Sequence, residues 1–400
     1  MTVKFLPVRK YIHDCFKNFP WASENQFETV WNYVDHQLAG RDRGRQAMLR
    51  SGMSELTDRI TAYHLKHISC YLEHFKEAQL RHKPKIDKRR IHQLAFDDTS
   101  QERAGRKVFA SSYHYNHSHG SVEWGQVNVD LVHVSNRIVN VDYRPYLSQS
   151  FIERTNYSQI DFYTKIKIVR ELFQKHSQTI IRKGLAPSKI WVSLDCWYAS
   201  EELTTDVRQS GSNLLQGVKK DTRCVLFGQL KRLDEIFKSE KQWYYRTNPH
   251  SGNRVYFQEK ELFLNRHGKC KVFAVRRGND PRIRYYATTR LKITFEALLP
   301  RLRAHWQVET MHHDLKQYFN LRGCFSGNET LNRIHWQINY LLYLMFRQYQ
   351  SHQQQQGLSI TLPKLIALYR YQYDEIRAQR CFSSPKKRFH SRKTFLQALC

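Results

Sequence analysis

The chain has 400 residues, with 65 Lys and Arg against 36 Asp and Glu, and a formal net charge of +29. An excess of this size and sign favours a polyanionic partner, and the sequence therefore predicts binding to nucleic acid. No apolar run reaches the roughly 18 residues of a spanning helix, so no membrane role is expected. The eight cysteines form no CxxC pair, and the first residues lack the apolar stretch of a signal peptide. Reduced thiols, no zinc site and a cytoplasmic location are the expectation.

Residues 1–90 are predicted to form an N-terminal helical domain and a linker. Apolar and aromatic residues recur at helical spacing through Phe27–Val34, Leu49–Leu56 and Ile60–Leu72. The basic loop Gly40–Arg45 leaves two interpretations open, a domain that docks on DNA and a domain that only packs. The basic run 81–90, which contains a proline, is interpreted as the linker.

Residues 91–230 are predicted to be the first part of an α/β core, and they open on a strand. Ile91–Phe96 leads into Asp97-Asp98-Thr99, and two β-rich runs then form a hairpin, Val122–Val134 and Ile138–Tyr143. We expect Asp130 and Asp142 of this hairpin to point to solvent. The loop 113–120 carries His114, His117 and His119 without an acidic or thiol partner, so it is not interpreted as a metal site.

A long helix and a buried strand complete this part of the core. Tyr157–Lys183 has an amphipathic pattern and is followed by Gly184, a typical helix stop. Ile190–Leu194 is almost wholly apolar, as a central buried strand should be, and it ends in Asp195. Asp195 therefore stands at the carboxyl end of a strand, where α/β sheets place reactive groups. The segment Cys224–Leu230 is predicted to form a further strand.

Residues 231–295 are predicted to be a β-strand insertion. Short β runs alternate aromatic residues with Arg and Lys, as in Trp243–Arg246, and Gly or Asn turns separate them. This alternation is typical of a basic surface on which bases stack, and a charged but otherwise ordinary sheet edge is the alternative.

The helix predicted over Arg301–Lys316 has two faces. An apolar stripe should face a core, and it consists of Val308, Met311, Leu315 and Phe319. A second face carries one carboxylate among potential cations, and it consists of His305, Glu309, His312, His313 and Lys316. One acid among phosphate-binding groups suits a divalent metal held against a polyanion. A solvated, charge-rich face is the alternative.

The remaining residues are predicted to close the core and form a tail. Leu331–Tyr349 is apolar on nearly all sides, which indicates a buried helix, so that 296–350 would hold the closing helices. Gln353–Gln356 is interpreted as a linker. The tail 351–400 is predicted to carry one helix, Leu362–Arg377, and a basic end.

Three acids stand out by their context: Asp97 or Asp98 after the first strand, Asp195 after the buried strand, and Glu309 on the helix. Carboxylates are hard oxygen ligands for Mg²⁺, which keeps positions open for water and phosphate. Phosphodiester transfer with two metal ions is the chemistry that uses such a set. The predicted cofactor is therefore two Mg²⁺ ions, for which Mn²⁺ can substitute.

The order of these motifs resembles the DDE transposases of bacterial insertion sequences. The resemblance covers roughly residues 91–350, and its most specific parts are Ser193-Leu-Asp195-Cys-Trp-Tyr198 and Trp306–Lys316. It is closest to the cut-and-paste group, which implies an α/β fold with a ribonuclease-H-like core and a β insertion before the catalytic Glu. It also implies Asp98, Asp195 and Glu309 as metal ligands, with Asp98 preferred to Asp97 because it directly precedes a Thr.

The resemblance further implies contacts to double-stranded DNA. Lys316, seven residues after Glu309, matches the family's phosphate-binding Lys, whereas Leu302 and His305 replace its Tyr and Arg. A protonated His305 can still bind a phosphate without the two-pronged grip of Arg, and Arg301 or Arg303 can compensate. We therefore predict that DNA contacts Lys316, His305, Arg303 and His312.

The implied activity is hydrolysis at the ends of a mobile element, followed by attack of the released 3′-hydroxyl on target DNA. Joining requires two ends held together, which predicts a homodimer on DNA. The implied location is the bacterial cytoplasm, at the nucleoid. Two alternatives are a nuclease of the same core without strand transfer and a non-catalytic DNA-binding protein derived from a transposase.

Overall fold

The computed structural model describes residues 8–18, 24–39, 87–103, 105–116, 119–155, 162–226, 228–238, 242–247, 252, 254–278, 280, 282–324 and 327–383. The described helices are α1 Val8–Lys17, α2 Glu24–Ala39, α3 Gln149–Thr155, α4 Lys165–Arg182, α5 Glu201–Gln209, α6 Leu233–Lys238, α7 Phe295–Tyr318, α8 Glu329–Gln355 and α9 Leu362–Ser383. The strands are β1 His92–Glu102, β2 Ser112–Asn116, β3 Ser121–Val134, β4 Ile138–Tyr146, β5 Ile190–Leu194, β6 Asn213–Val218, β7 Arg223–Leu226, β8 Gln229–Arg232, β9 Tyr244–Thr247, β10 Arg254–Leu264, β11 Gly268–Arg277 and β12 Arg284–Thr288. The chain is thus a mixed α/β protein, as predicted.

All twelve of the described strands belong to one mixed sheet. Its order is β2-β3-β1-β5-β6-β12-β11-β10-β7-β8, with β4 paired to β3 and β9 paired to β10. β1, β5 and β6 are parallel, whereas β3 and β4 form an antiparallel pair beside β1. The strands predicted as an insertion continue this sheet, because β12 pairs antiparallel with β6.

The sheet is covered on both faces in its central part. On one face, apolar residues of β1, β3, β5 and β6 pack against α4 and α5. Because side chains alternate along a strand, the intervening residues point to the other face. There Trp191, Leu215, Phe257 and Phe273 pack against Phe295 and Leu298 of α7. Two covered faces explain why polar residues of the central strands are buried.

The chain divides into two compact units. One holds residues 83–106 and 110–312, which include the entire sheet, and the other holds 1–82, 107–109 and 313–400. In the second unit, α1, α2, α8 and α9 are helices, as the patterns at Phe27–Val34, Leu331–Tyr349 and Leu362–Arg377 predicted. Tyr369 Oη donates to Asp35 Oδ1 at 2.7 Å, which ties α9 to α2. The predicted patterns at 40–86 and the basic end after residue 383 lie outside the described residues.

Several boundaries differ from the prediction for local reasons. β1 continues to Glu102, so Asp97 and Asp98 lie within a strand and not after it. α4 begins at Lys165, where the Thr164 hydroxyl accepts from the Lys167 amide and caps the helix. The predicted linker at Gln353 is wrong, because α8 runs to Gln355 and buries Gln353. The predicted strand Cys224–Leu230 is a hairpin of β7 and β8.

The segment predicted as a histidine loop is also partly strand. Tyr113–Asn116 lie in β2, and His119 pairs with Glu123 of β3. His117 lies outside the described residues. Within the described parts of the chain, no helix combines the length and the apolar character needed to cross a membrane.

His267 provides a test of the packing around α5. Its Nδ1 lies 2.9 Å from Thr204 Oγ1, and burial, with Arg266 and Arg208 nearby, lowers the pKa of its imidazole to about 4. The unfolded chain binds this proton near pH 6.5, so protonation favours unfolding as the pH falls from 6.5 toward 4. Between pH 7 and pH 5 this group should lower the free energy of unfolding by about 2 kcal/mol. His267→Asn should remove that part of the pH dependence in urea unfolding, and an unchanged difference between the two pH values would contradict it.

Candidate active site

Two adjacent parallel strands place Asp97 and Asp195 side by side. In the register of β1 and β5, Ala95 lies opposite Ser193, and each aspartate follows two residues later on the same face. Gln93 Nε2 donates to Ser193 Oγ at 2.7 Å on that face, which aligns the two strands below the acids. Neighbouring strands lie about 4.8 Å apart, so the two carboxylates can approach a common ligand.

The neighbouring strand β6 leaves room for the Asp195 carboxylate. A side chain at Gly217 would place its Cβ 3.3 Å from Asp195 Oδ1. The Asp195 carboxylate itself accepts a hydrogen bond from the Cys196 amide at 2.7 Å, at the start of the short 3-10 turn Cys196–Tyr198. Backbone geometry therefore orients one oxygen of Asp195 and leaves the carboxylate uncrowded.

A third aspartate lies in the same row. The register of β1 and β3 places Asp130 directly opposite Asp97, and the Asp130 side chain is fully buried. The prediction that Asp130 points to solvent is wrong, because α7 covers this face of the hairpin. The same prediction for Asp142 is wrong on the other face, where Asp142 Oδ2 lies 2.8 Å from His176 Nε2 of α4.

Helix α7 adds a histidine and a glutamate above this row. His312 Nε2 lies 2.8 Å from Asp130 Oδ2, and its Nδ1 lies 3.8 Å from Asp97 Oδ2. His312 thus bridges two aspartates and is only 8% exposed. This position differs from the predicted one on a DNA-facing surface. Glu309, one turn earlier, is exposed and near enough to Asp195 for the two charges to interact.

Asp97, Asp195 and Glu309 line one cavity of about 270 Å³. Its walls include the middle of β1, the carboxyl end of β5, Gly217 of β6 and the middle of α7. These three acids are far apart in sequence, and their role as metal ligands remains a prediction. The first acid of the set is Asp97 and not Asp98.

Asp98 lies on the opposite face of the sheet. Lys165 Nζ of α4 lies 2.6 Å from its Oδ2, and Tyr198 Oη donates to its Oδ1 at 2.8 Å. Burial acts to raise the pKa of Asp98, but Lys165 and Tyr198 hold that pKa below its usual value. Because Tyr198 ends the turn that begins after Asp195, Asp98 supports the shape of the site from behind.

The alternation of β1 could have distinguished the two aspartates. Asp98 has the same parity as Leu94 and Phe96, which pack in the core against α4. Asp97 has the parity of Gln93 and Ala95, the face that turns toward α7. The sequence-based preference for Asp98, the residue directly before a Thr, selects the aspartate that faces α4.

Burial and neighbouring like charges raise the pKa values of Asp97 and Glu309. Burial is the main cause that raises the pKa of Asp97 to about 7, and Asp98 and Asp195 add to it while His312 opposes it. Burial, with Asp195, also raises the pKa of Glu309. Ionised carboxylates at this site are therefore costly by themselves, and a bound cation would lower that cost.

The other predicted DNA-binding residues take different positions. His305 Nδ1 lies 3.2 Å from Ser193 Oγ, and burial lowers its pKa, which favours the neutral imidazole over a phosphate-binding cation. Arg303 is exposed and lines a second cavity beside the first. Lys316 lies beyond residue 312 in the second unit, so its role remains a prediction.

The donor atoms that line the acid cavity are of the kind that magnesium takes in proteins. Among the described residues, no group of three or more His, Cys, Asp or Glu converges as a metal-binding set. Mg²⁺ usually takes one or two carboxylates, and waters and substrate phosphates supply the remaining ligands. Asp97 and Asp195, with Glu309 across the cavity, provide that donor chemistry.

The Asp130–His312 pair gives a prediction about stability. His312→Ala should lower the free energy of unfolding by roughly 3 kcal/mol, because it removes an ion-pair contact of the buried Asp130 carboxylate. Adding Asp130→Ala should cost less than the sum of the two single changes, with a coupling of about 1–3 kcal/mol. Urea unfolding of the two single variants and the double variant measures this coupling, and purely additive losses would contradict the contact.

Comparisons with known sequences do not assign this chain to a family. No protein-family model matches it, and no curated protein matches it significantly. The candidate site is therefore defined by its own geometry, which consists of three acids on one cavity and a buried histidine that joins two aspartates.

Proposed function

We propose that this protein is a metal-dependent DNA transposase that cuts phosphodiester bonds at element ends and transfers the strand to target DNA. The observation that carries this proposal is that Asp97, Asp195 and Glu309 line one cavity. These acids come from two adjacent parallel strands and from a helix more than 100 residues further along the chain, the order in which the resemblance arranges its catalytic acids.

The strand order supports a ribonuclease-H-like core within the larger sheet. Five strands run in the order β4-β3-β1-β5-β6, and the first three are antiparallel while the last three are parallel. A three-stranded meander continued by two parallel strands is the arrangement we expect of such a core. The acids stand on its central strand β1, on the adjacent strand β5 and on the covering helix α7.

Each residue of the site has a separate proposed role. Asp97, Asp195 and Glu309 would hold Mg²⁺, which when bound supplies charge neutralisation and activation of the attacking oxygen. His312 lies 3.8 Å from Asp97 on the side of β3, close enough for an electrostatic contact, and the Cys196 amide orients Asp195. Asp98, Lys165 and Tyr198 fix the backbone behind the site. Positioning and electrostatics are what phosphoryl chemistry requires of a protein.

The expected partners follow from charge and from the reaction. A net charge of +29 favours double-stranded DNA as the substrate. Strand joining requires two DNA ends at once, so we propose a homodimer when DNA is bound.

The experiment is a cleavage and joining assay with the DNA that flanks the gene. About a hundred base pairs from each side are labelled and incubated with the protein, Mg²⁺ and a plasmid target. Ends that carry a 3′-hydroxyl and become joined to the plasmid would support the proposal. Cleaved ends that are never joined would indicate a nuclease, and DNA binding without cleavage would indicate a non-catalytic protein.

A further inference from the structure

The hairpin of β2 and β3 carries a set of apolar side chains on its surface. Tyr113 is 64% exposed, Tyr115 is 53% exposed and Val122 is 63% exposed. Tyr113 lies opposite Trp124, and their ring centroids are 5.0 Å apart in an edge contact. Tyr115 lies opposite Val122 in the next row. Because side chains alternate along a strand, all four share one face, which we call the aromatic patch. Exposed apolar groups that cluster in this way mark a contact with another molecule.

The charge of this hairpin differs from that of the rest of the chain. The protein has 65 Lys and Arg among 400 residues, yet residues 108–136 contain none. Glu123 of the hairpin belongs to the face opposite the patch. Arg154 of α3 lies beside the patch, where its guanidinium carbon is 4.9 Å from the Trp124 ring centre and its Nη2 donates to the Ser111 carbonyl at 3.0 Å. The aromatic patch thus offers a phosphate backbone one cation that is already engaged, which disfavours DNA as its partner.

β2 is also an edge strand. It stands at one end of the strand order, and among the described residues no strand pairs with its outer side. A free edge presents backbone N–H and C=O groups to any strand that can align with it. Charged side chains usually protect such edges, as at the other end of the sheet, where β8 carries Lys231 and Arg232. β2 has the sequence Ser-Tyr-His-Tyr-Asn and lacks this protection.

A second copy of the chain fits this edge for two reasons. The first is geometric, because two β2 strands that meet antiparallel about a twofold axis continue the sheet from one copy into the other. Tyr113 and Tyr115 of both copies then lie on one face, where they can form cross-strand pairs. The second is electrostatic, because two chains of +29 repel each other and approach most easily where the cations are fewest.

We propose that the outer edge of β2 and the aromatic patch form a contact between two copies of this chain. The inference rests on the proposed function in one respect, since that function requires two copies on DNA, and it names the surface through which they meet. One short strand and four side chains bury a small area, so the contact should be weak in the absence of DNA.

Paired charge variants of the full chain test this contact without DNA. One variant carries Tyr113→Lys with Tyr115→Lys, and the other carries Tyr113→Glu with Tyr115→Glu. Sedimentation equilibrium in EDTA, over about 1–100 μM protein, covers the range of weak association. The wild type should self-associate, and each variant alone should do so about tenfold more weakly, because like charges then face each other. An equimolar mixture of the two variants should recover association to within about threefold of the wild type, because Lys of one copy then faces Glu of the other.

A matched control lies at the opposite edge of the sheet. Val225 and Leu230 are exposed apolar residues that lie opposite each other on β7 and β8. Val225→Lys with Leu230→Lys adds the same charge as the first variant, and it should associate within about twofold of the wild type. Tyr113→Ser with Tyr115→Ser removes the apolar contact without adding charge and should weaken association about tenfold, which keeps the test valid if a charged variant fails to fold.

Three results would overturn the proposal. They are a wild type that stays monomeric over the whole range, a mixture of charge variants that does not recover association, and a control that loses it. Strand transfer by a protein with any of these results overturns the contact and leaves the transposase proposal standing. Association that depends on Tyr113 and Tyr115, in a protein that never cleaves DNA, supports the contact and removes the transposase proposal.

Discussion

Asp195→Asn and Glu309→Gln should each lower the rate of DNA cleavage by roughly a thousandfold or more. Loss of a carboxylate that holds the metal removes several kcal/mol of stabilisation from the transition state, and each 1.36 kcal/mol corresponds to a tenfold change in rate. Both side chains line the acid cavity, and neither is a cation that could neutralise a DNA phosphate. The dissociation constant for element-end DNA in EDTA should therefore stay within about twofold.

A matched control exists on the same helix. Glu296 lies in the first turn of α7, where it pairs with Arg246 and lines neither described cavity. Glu296→Gln should leave the cleavage rate within about twofold of the wild type. Single-turnover cleavage in Mg²⁺ and binding in EDTA give both readouts. Cleavage at the wild-type rate by either cavity variant would remove that residue from the site.

A direct measurement of metal binding supplements the rates. Mg²⁺ that binds the folded protein should raise its thermal midpoint in proportion to RT ln(1 + [L]/Kd). This increase should be present in the wild type and in Glu296→Gln, and it should be absent or much smaller in Asp195→Asn. An equal increase in all three proteins would show that Mg²⁺ binds elsewhere.

The second large effect on cleavage distinguishes the adjacent residues Asp97 and Asp98. Asp97→Asn should abolish cleavage to a similar degree, because Asp97 faces the acid cavity. Although this change should abolish cleavage, it should stabilise the folded chain. Burial raises the pKa of Asp97 from its usual 3.8 to about 7 in the folded chain, so ionisation opposes folding as the pH rises from 4 to 7. At pH 8 in EDTA, the neutral Asn should raise the free energy of unfolding.

Asp98→Asn should act on the fold more than on the chemistry. The ionised Asp98 stabilises the folded chain through Lys165 and Tyr198, so its loss should cost about 1 kcal/mol at this partly exposed ion pair. Because folding lowers the pKa of Asp98, that contribution is present above pH 3.8 and is lost as the pH falls through the folded value. Cleavage should fall only about tenfold, through displacement of the turn after Asp195.

Urea unfolding at pH 8 and single-turnover cleavage of both variants test this pair of predictions. If Asp98→Asn lost DNA cleavage and Asp97→Asn retained it, the metal ligand would lie on the opposite face of β1. Equal and complete activity of both variants would remove β1 from the site.

The sequence by itself determined the local features of this protein. The apolar run Ile190–Leu194 is a buried strand followed by an acid, and the stripe Val308, Met311, Leu315 and Phe319 is fully buried on or just after α7. Such features depend on the period of apolar residues within one segment, which can be read directly from the chain. The sequence singles out Asp195 and Glu309 because one directly follows and the other lies on an element of this kind.

Only the tertiary structure decided which acids meet and which side chains are buried. Asp97 joins Asp195 because Ala95 lies opposite Ser193 in two parallel strands, and that register pairs residues about 100 positions apart. Asp130 is buried because α7 covers its hairpin. His312 faces inward because Asp130 and Asp97 lie beneath it. Long-range pairing of strands and the covering of a second face are set by the whole fold, and no local pattern in the sequence encodes them.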